Sequence, residues 1–244
     1  LHKLGKESEA SAMLKKVVGR TAAYVTPFRR ESRPALEWAN ETAHDLTWKI
    51  PYFLAVYLEG RREGERAREL LNGIAKADEA VFYLHRLNRE PNAEQKWADV
   101  EMLKTFPDSW RTGCAVANAY RAEENLDAAC DVLADYLKRF PHQNCIELYY
   151  AQLLYKTGRY DTLISYFLGD PDVHIKPSEY GGSAGWWIEN ACADLCKKAL
   201  AAGDEKEARK WLKKGTNLPE NVGSGKPYAE DLWYGIWPKK YEIE

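Results

Sequence analysis

Apolar residues recur at helical spacing from Trp110 to Tyr160, and polar breaks cut the pattern at regular places. Glu123-Glu124-Asn125 interrupts the first pair of helical stretches. Lys156-Thr157-Gly158-Arg159 interrupts the second, and Phe140-Pro141 separates the two pairs. A helix-turn-helix unit therefore recurs at about 34 residues. With Trp110 as the first residue of one unit, small Ala117 and Ala129 fall where the paired helices cross, and Tyr120 and Leu133 supply bulky contacts. Pro141 closes that unit. The next begins at Asn144, with Ala151 at its first small position, Gly158 at the turn and Tyr160 just after it. Two residues depart from the pattern: Tyr136 stands where alanine is usual, and Leu163 replaces the second small residue.

The flanking sequence extends the pattern. Residues 6–24 predict one long helix ended by Pro27, and Ser32 predicts the cap of a helix running to about Ala43. From Trp48, WKIPYFLAVYLEG resumes the repeat with Ala55 and Ala67 as small residues and Arg61-Arg62-Glu63-Gly64 as the turn. A further pair is expected over Ala77–Asn88 and Asn92–Thr105, and Phe106-Pro107 ends it as Phe140-Pro141 ends the later one. After a short helix to Gly169, an irregular insertion spans residues 170–185. Helices over Trp186–Ala201 and Asp204–Lys214 follow, turning at Gly203-Asp204. A turn-rich tail ends in a short predicted helix, Tyr228–Ile236, whose Trp233, Ile236 and neighbouring Trp237 would cap the apolar end. The expected organisation is an N-terminal helical segment over 1–47, repeats over 48–222 and a capping tail over 223–244.

This period and register are those of tetratricopeptide (TPR) repeats. The expected fold is all-α, a right-handed TPR-like α-solenoid of about five to six helix pairs. The stretches TWKIPYFLA, FYLHR, FPDSWR, GRY and above all LPENVGSGKPY resemble the C-terminal TPR region of bacterial proteins that carry a galactose-mutarotase-like β-sandwich upstream. The resemblance covers nearly all of the chain from Trp48 onward, and its most specific motif is Pro219-Glu220-Asn221-Val222-Gly223-Ser224-Gly225-Lys226-Pro227. It implies a carbohydrate connection for the parent protein and no catalytic residue in the TPR part.

Composition narrows the function classes. The 244 residues are 45% hydrophobic and 30% charged, with a net charge of −2 and both signs interspersed, so no nucleic-acid footprint is visible. No apolar run approaches the roughly 18 residues of a membrane span. LHKLGKESEA has no signal-peptide core and no initiator Met, and Leu4-Gly5-Lys6 resembles a turn between helices. The expectation is a segment of a longer protein. The five cysteines fall in predicted helices and are expected to be small buried thiols. Reduced thiols fit a cytoplasmic protein. Cys192 and Cys196 share a helix face but lack further metal ligands nearby.

The five histidines are scattered, and no Ser-His-Asp order or HExxH motif occurs. No catalytic residue, cofactor or metal is expected. Candidate binding residues lie on the first helix of each pair, which lines the groove of such an array. Lys49, Tyr52, Arg111, Asn118, Arg121, Gln152 and Tyr155 are assigned there. Arg111, Asn118 and Arg121 resemble part of a clamp for an acidic peptide, or else form a solvated polar face. Trp186 and Trp187, with Tyr180, form either a stacking platform for a sugar or peptide, or a pair with one ring buried and the other half-exposed. In the tail, Asn221, Gly223, Gly225 and Lys226 offer anion-binding N–H groups, or a structural turn. The expected function is a non-catalytic interaction or scaffold module of a carbohydrate-associated bacterial protein. It would bind a protein or peptide, dock on the parent's own β-sandwich, or form a homo-oligomer. The alternative is the helical part of a carbohydrate-active enzyme that lends groove aromatics and a loop to substrate binding.

Overall fold

The structure, a computed structural model, describes residues 1, 4–23, 25–89, 92–106, 108–169, 183–219, 222 and 235–236. Among these residues the chain is all-α. The helices are α1 (Glu7–Val18), α2 (Ser32–Ala43), α3 (Lys49–Glu59), α4 (Gly64–Gly73), α5 (Ala80–Leu87) and α6 (Ala93–Lys104). They continue as α7 (Trp110–Ala122), α8 (Leu126–Arg139), α9 (Asn144–Lys156), α10 (Tyr160–Gly169), α11 (Ala184–Ala201) and α12 (Glu205–Thr216). The chain divides into two compact units, Leu1–Phe106 and Pro107–Glu244. The division falls at the Phe-Pro pair that marks the end of a helical unit.

In the second unit each helix packs on its successor in the chain, from α7 against α8 through α11 against α12. In addition α7 touches α9, and α9 touches α11. Four connections share one turn. After α3, α7, α9 and α11 the chain passes through a left-handed residue: Arg62 (φ 65°), Glu124 (φ 58°), Gly158 (φ 71°) and Gly203 (φ 76°). The next residue then donates its N–H to a carbonyl five residues back. The pairs are Glu63 to Leu58 (3.0 Å), Asn125 to Tyr120 (3.1 Å), Arg159 to Leu154 (2.9 Å) and Asp204 to Ala199 (2.9 Å). This is the Schellman closure, which satisfies a helix's last carbonyls and stops it in three residues. Two of the turns hand straight over to an N-cap: Asn125 accepts from the Ala128 N–H (3.1 Å), and Asp204 accepts from the Glu207 N–H (3.0 Å).

Small residues let the paired helices approach. Ala117 and Ala129 are fully buried in the α7–α8 pair, as are Ala55 in α3, Ala151 in α9 and Ala208 in α12. Tyr136, the bulky departure from the pattern, has a compensating partner. A Cβ added to Gly113 of α7 would lie 2.5 Å from the Tyr136 ring. The ring of Tyr136 therefore occupies the space that Gly113 leaves.

The first unit departs from expectation at its start. The helix expected over 6–24 ends at Val18, and the chain that follows is tied elsewhere. Glu79 accepts from the Thr21 hydroxyl (2.6 Å) and the Ala22 N–H (2.8 Å), and Lys49 donates to the Arg20 carbonyl (2.6 Å) and pairs with Glu79 (2.6 Å). These tertiary partners take the backbone groups that a longer helix would need. Ser32 does not cap α2; it is the first helical residue, and no side chain caps that end. The neighbouring Arg33 bonds Glu37 (3.0 Å) and reaches Glu63 with both terminal nitrogens (2.7 and 3.0 Å). On α1, Ala10 is buried while Met13 and Val17 remain 52% and 48% exposed, so its apolar face is only partly covered.

An ion pair between α5 and α6 is buried at both partners. Arg86 of α5 donates through Nε to Asp99 of α6 (2.9 Å), bonds it again through a second nitrogen, and lies 4.5 Å from the Phe82 ring centroid. Gln95 also donates to Asp99 (3.0 Å), and both charged side chains are buried.

Two substitutions test this packing. Asp99→Ala strands a buried guanidinium and is expected to cost about 3–5 kcal/mol in urea unfolding. A change near zero would show that the pair is not buried as described. Gly113→Ala is expected to cost about 1–3 kcal/mol through overpacking. In a Tyr136→Ala background that cost should nearly vanish, and equal costs in both backgrounds would rule out the Gly113–Tyr136 contact.

Candidate functional site

The second unit gathers aromatic rings around one carboxylate, with contributions from α9, α10 and α11. Tyr155 lies in the last turn of α9, Tyr160 begins α10, and Trp186, Trp187 and Asp194 belong to α11. Tyr155 stacks on Tyr160 (centroids 5.6 Å apart, planes at 21°) and lies 5.4 Å from Trp187 and 6.5 Å from Trp186. The two indoles meet edge to face at 4.3 Å. Both tyrosine hydroxyls donate to the same Asp194 oxygen, Oδ2, each at 3.0 Å. The other oxygen, Oδ1, lies 3.5 Å from Lys197 Nζ on the same helix.

Local sequence explains the arrangement. Ser183 caps α11 by accepting from the Trp186 N–H (3.2 Å), which fixes the first turn. Ala184, Gly185 and Ile188 face inward, and Trp186 falls on the opposite side of the wheel, 41% exposed. Trp187 is half-buried. Asp194 lies seven residues beyond Trp187, about two helical turns, and so shares its face. Burial first, and then the hydrogen bond and charge of Asp194, push the Tyr155 hydroxyl up to about 12. The same causes raise Tyr160. The platform therefore presents neutral phenols over the physiological range, beside an exposed indole and the Asp194 side chain that holds them.

The sequence-assigned groove residues separate into groups. Tyr155 and Trp186 belong to this platform. Arg111, Asn118 and Arg121 are all exposed on α7. Arg111 and Asn118 lie seven residues apart on one stripe. Arg111 lies over its neighbour Trp110 (4.5 Å), and Arg121 lies over Tyr149 of α9 (5.5 Å). All three therefore present polar groups at the surface of α7. Tyr52 and Lys49 do not line a groove. Tyr52 is buried in the first unit, 5.4 Å from Trp48 and 5.6 Å from His85, and burial pushes its hydroxyl up to about 12. Lys49 is buried against Glu79. Tyr180, Trp233, Trp237, Asn221, Gly223, Gly225 and Lys226 lie outside the described residues. Between the tail residues, Val222 is fully buried in the core of the second unit, and Ile236 packs against that core.

Asp194 and Tyr160 are the site residues that sequence reasoning did not single out. A lone acid two turns after a Trp pair was the available signal. The cysteines divide: Cys130, Cys192 and Cys196 are buried, Cys114 is half-buried, and Cys145 is exposed, contrary to the expectation for all five. Burial pushes the Cys192 thiol up to about 12 and those of Cys114 and Cys130 up to about 11, so none of these three is an activated nucleophile. Among the described residues no His, Cys, Asp and Glu cluster suits a metal, and no helix is long and apolar enough to cross a membrane. In comparisons with known proteins, no family model matches the chain and no curated protein matches it.

The platform has a pH signature. Tyr155 keeps its proton to higher pH when folded, so its contribution to stability is complete below about pH 10 and is lost between about 10 and 12. Asp194→Asn removes the charge while leaving the burial. Near-ultraviolet titration is expected to show tyrosine ionisation beginning at lower pH in that variant. An unchanged curve would disprove the coupling.

Proposed function

We propose that this chain is a non-catalytic interaction module, a right-handed TPR-like array of helix pairs, and that the platform on α9–α11 is its contact surface. The observation that carries the proposal is Trp186, an exposed indole at the edge of a ring cluster tied together by Asp194. An indole held by its neighbours loses little side-chain entropy on binding, which is why such residues anchor interfaces. The repeated Schellman turns and small crossing residues support the TPR-like reading. The resemblance of LPENVGSGKPY to the TPR region of β-sandwich-bearing bacterial proteins supports a carbohydrate-associated parent, whose own β-sandwich is then a natural docking partner.

A second reading is favoured by the placement of Asp194. Sugars are recognised by stacking their C–H faces on aromatic rings while a carboxylate accepts hydrogen bonds from their hydroxyls. The platform offers both, as expected if the array lends aromatics to a carbohydrate-active enzyme.

Titration with galactose-containing oligosaccharides and with peptides, followed by tryptophan fluorescence, tests both. Binding of either class should weaken by about tenfold or more in Trp186→Ala, the loss of about 1.4 kcal/mol expected for an aromatic anchor. Saccharide binding selects the second reading, and peptide binding the first. Binding of either class that ignores Trp186→Ala, or no binding of either class, overturns the assignment of the platform.

A further inference from the structure

We infer that the first unit carries a binding cleft for a small, multiply charged oxyanion, a ligand bearing phosphate or carboxylate groups. The cleft has a volume of about 880 Å³ and lies between the α3–α4 turn, α4 and the start of α6. That volume is in the range of small-molecule sites. Four arginines line it: Arg62, Arg68, Arg86 and Arg89. Their charges are unequally satisfied. Arg86, on the buried side, is consumed by Asp99 and by the carbonyls of Leu71 (3.4 Å) and Ile74 (3.2 Å). Arg89 pairs with Glu59 (2.7 Å), a carboxylate that also faces His85 (3.0 Å). Arg62 and Arg68 have no carboxylate within ion-pair distance among the described residues. Among the described residues, two guanidinium groups therefore line the cleft without a paired carboxylate, and Asn72, one turn after Arg68 on α4, lines it as a neutral donor.

Arg62 occupies the left-handed turn residue, a position held by Glu124 in the α7–α8 turn and by glycine in the α9–α10 and α11–α12 turns, so the tight turn fixes the backbone from which its side chain extends. Guanidinium forks match the paired oxygens of phosphate and carboxylate, and two of them favour a ligand with more than one anionic group. The chain's net charge of −2 and the concave shape point to a small ligand rather than to a nucleic-acid backbone.

The inference is independent of the platform in the second unit. It is tested by calorimetric titration of the whole chain with pyrophosphate and, separately, with citrate. One anion is expected to bind per chain, and the stronger of the two probes identifies the preferred group. Arg62→Gln and Arg68→Gln should each weaken binding by about tenfold, whereas Arg30→Gln, which removes the same charge elsewhere, should not. Arg68→Lys should retain part of the affinity because it keeps the charge but loses the fork. Circular dichroism confirms that each variant is folded, as expected for exposed side chains. Absence of binding at about 1 mM anion, or equal weakening by Arg30→Gln, overturns the inference.

Discussion

The constraint on which the architecture depends is the need to stop a helix and reverse it within three residues. A helix end leaves its last carbonyls without partners. Here the same device satisfies them four times, a left-handed residue followed by an N–H that reaches back five residues. So tight a turn forces the next helix to lie directly against the one just finished. Close approach then dictates what stands at the crossing, which is why Ala117 and Ala129 have no room to grow. The turn residue sets the spacing, the spacing sets the side-chain volume, and the volume pattern is what recurs along the chain. Where the volume rule is broken, at Tyr136, the opposing position yields its Cβ instead. Size is conserved across the pair rather than at either residue.

Much of this was legible from the residues. Gly158 and Gly203 announce their turns, and the helices from α3 to α12 lie close to where the periodicity places them. What could not be read has physical reasons. The end of α1 is decided by Glu79, nearly sixty residues away, whose carboxylate takes the Ala22 N–H; no local pattern encodes that partner. The orientation of α3 was hidden for another reason. Lys49, Ile50, Tyr52, Leu54, Ala55, Tyr57 and Leu58 are all buried, so the helix is inward-facing around most of its circumference. A helix enclosed on most sides gives its polar residues no reliable outward face, and Lys49 and Tyr52 are buried rather than presented in a groove. Half of the platform was visible as aromatic residues. Its organising group, Asp194, was not, because one acid among many has no signature until the helices bring two hydroxyls to it.

Charge is used in two ways, and the difference separates scaffold from surface. Inside the first unit, Arg86 and Lys49 are enclosed and saturated: each has a carboxylate and at least one backbone carbonyl. Groups so placed cost desolvation and return it only when every donor is met. They specify which helices meet and leave nothing over for a ligand. Arg62 and Arg68 have the opposite status, with donors in a cleft and, among the described residues, no carboxylate to consume them.

The same contrast holds for the aromatic residues. Phe82, Tyr83 and Phe167 are enclosed in cores, where their area stabilises the fold. Trp186 stabilises little by comparison, because much of its ring stays in water, yet its cap, its edge contact with Trp187 and the tyrosines tied to Asp194 hold its surroundings in one arrangement. Ordering an exposed indole in this way is of small use to folding and of large use to recognition, since the entropy of positioning it is already spent before a partner arrives. The residues that the helical framework does not need, and nevertheless holds in place, are therefore where binding is to be sought: Trp186 at the edge of the ring cluster in one unit, and Arg62 with Arg68 in the other.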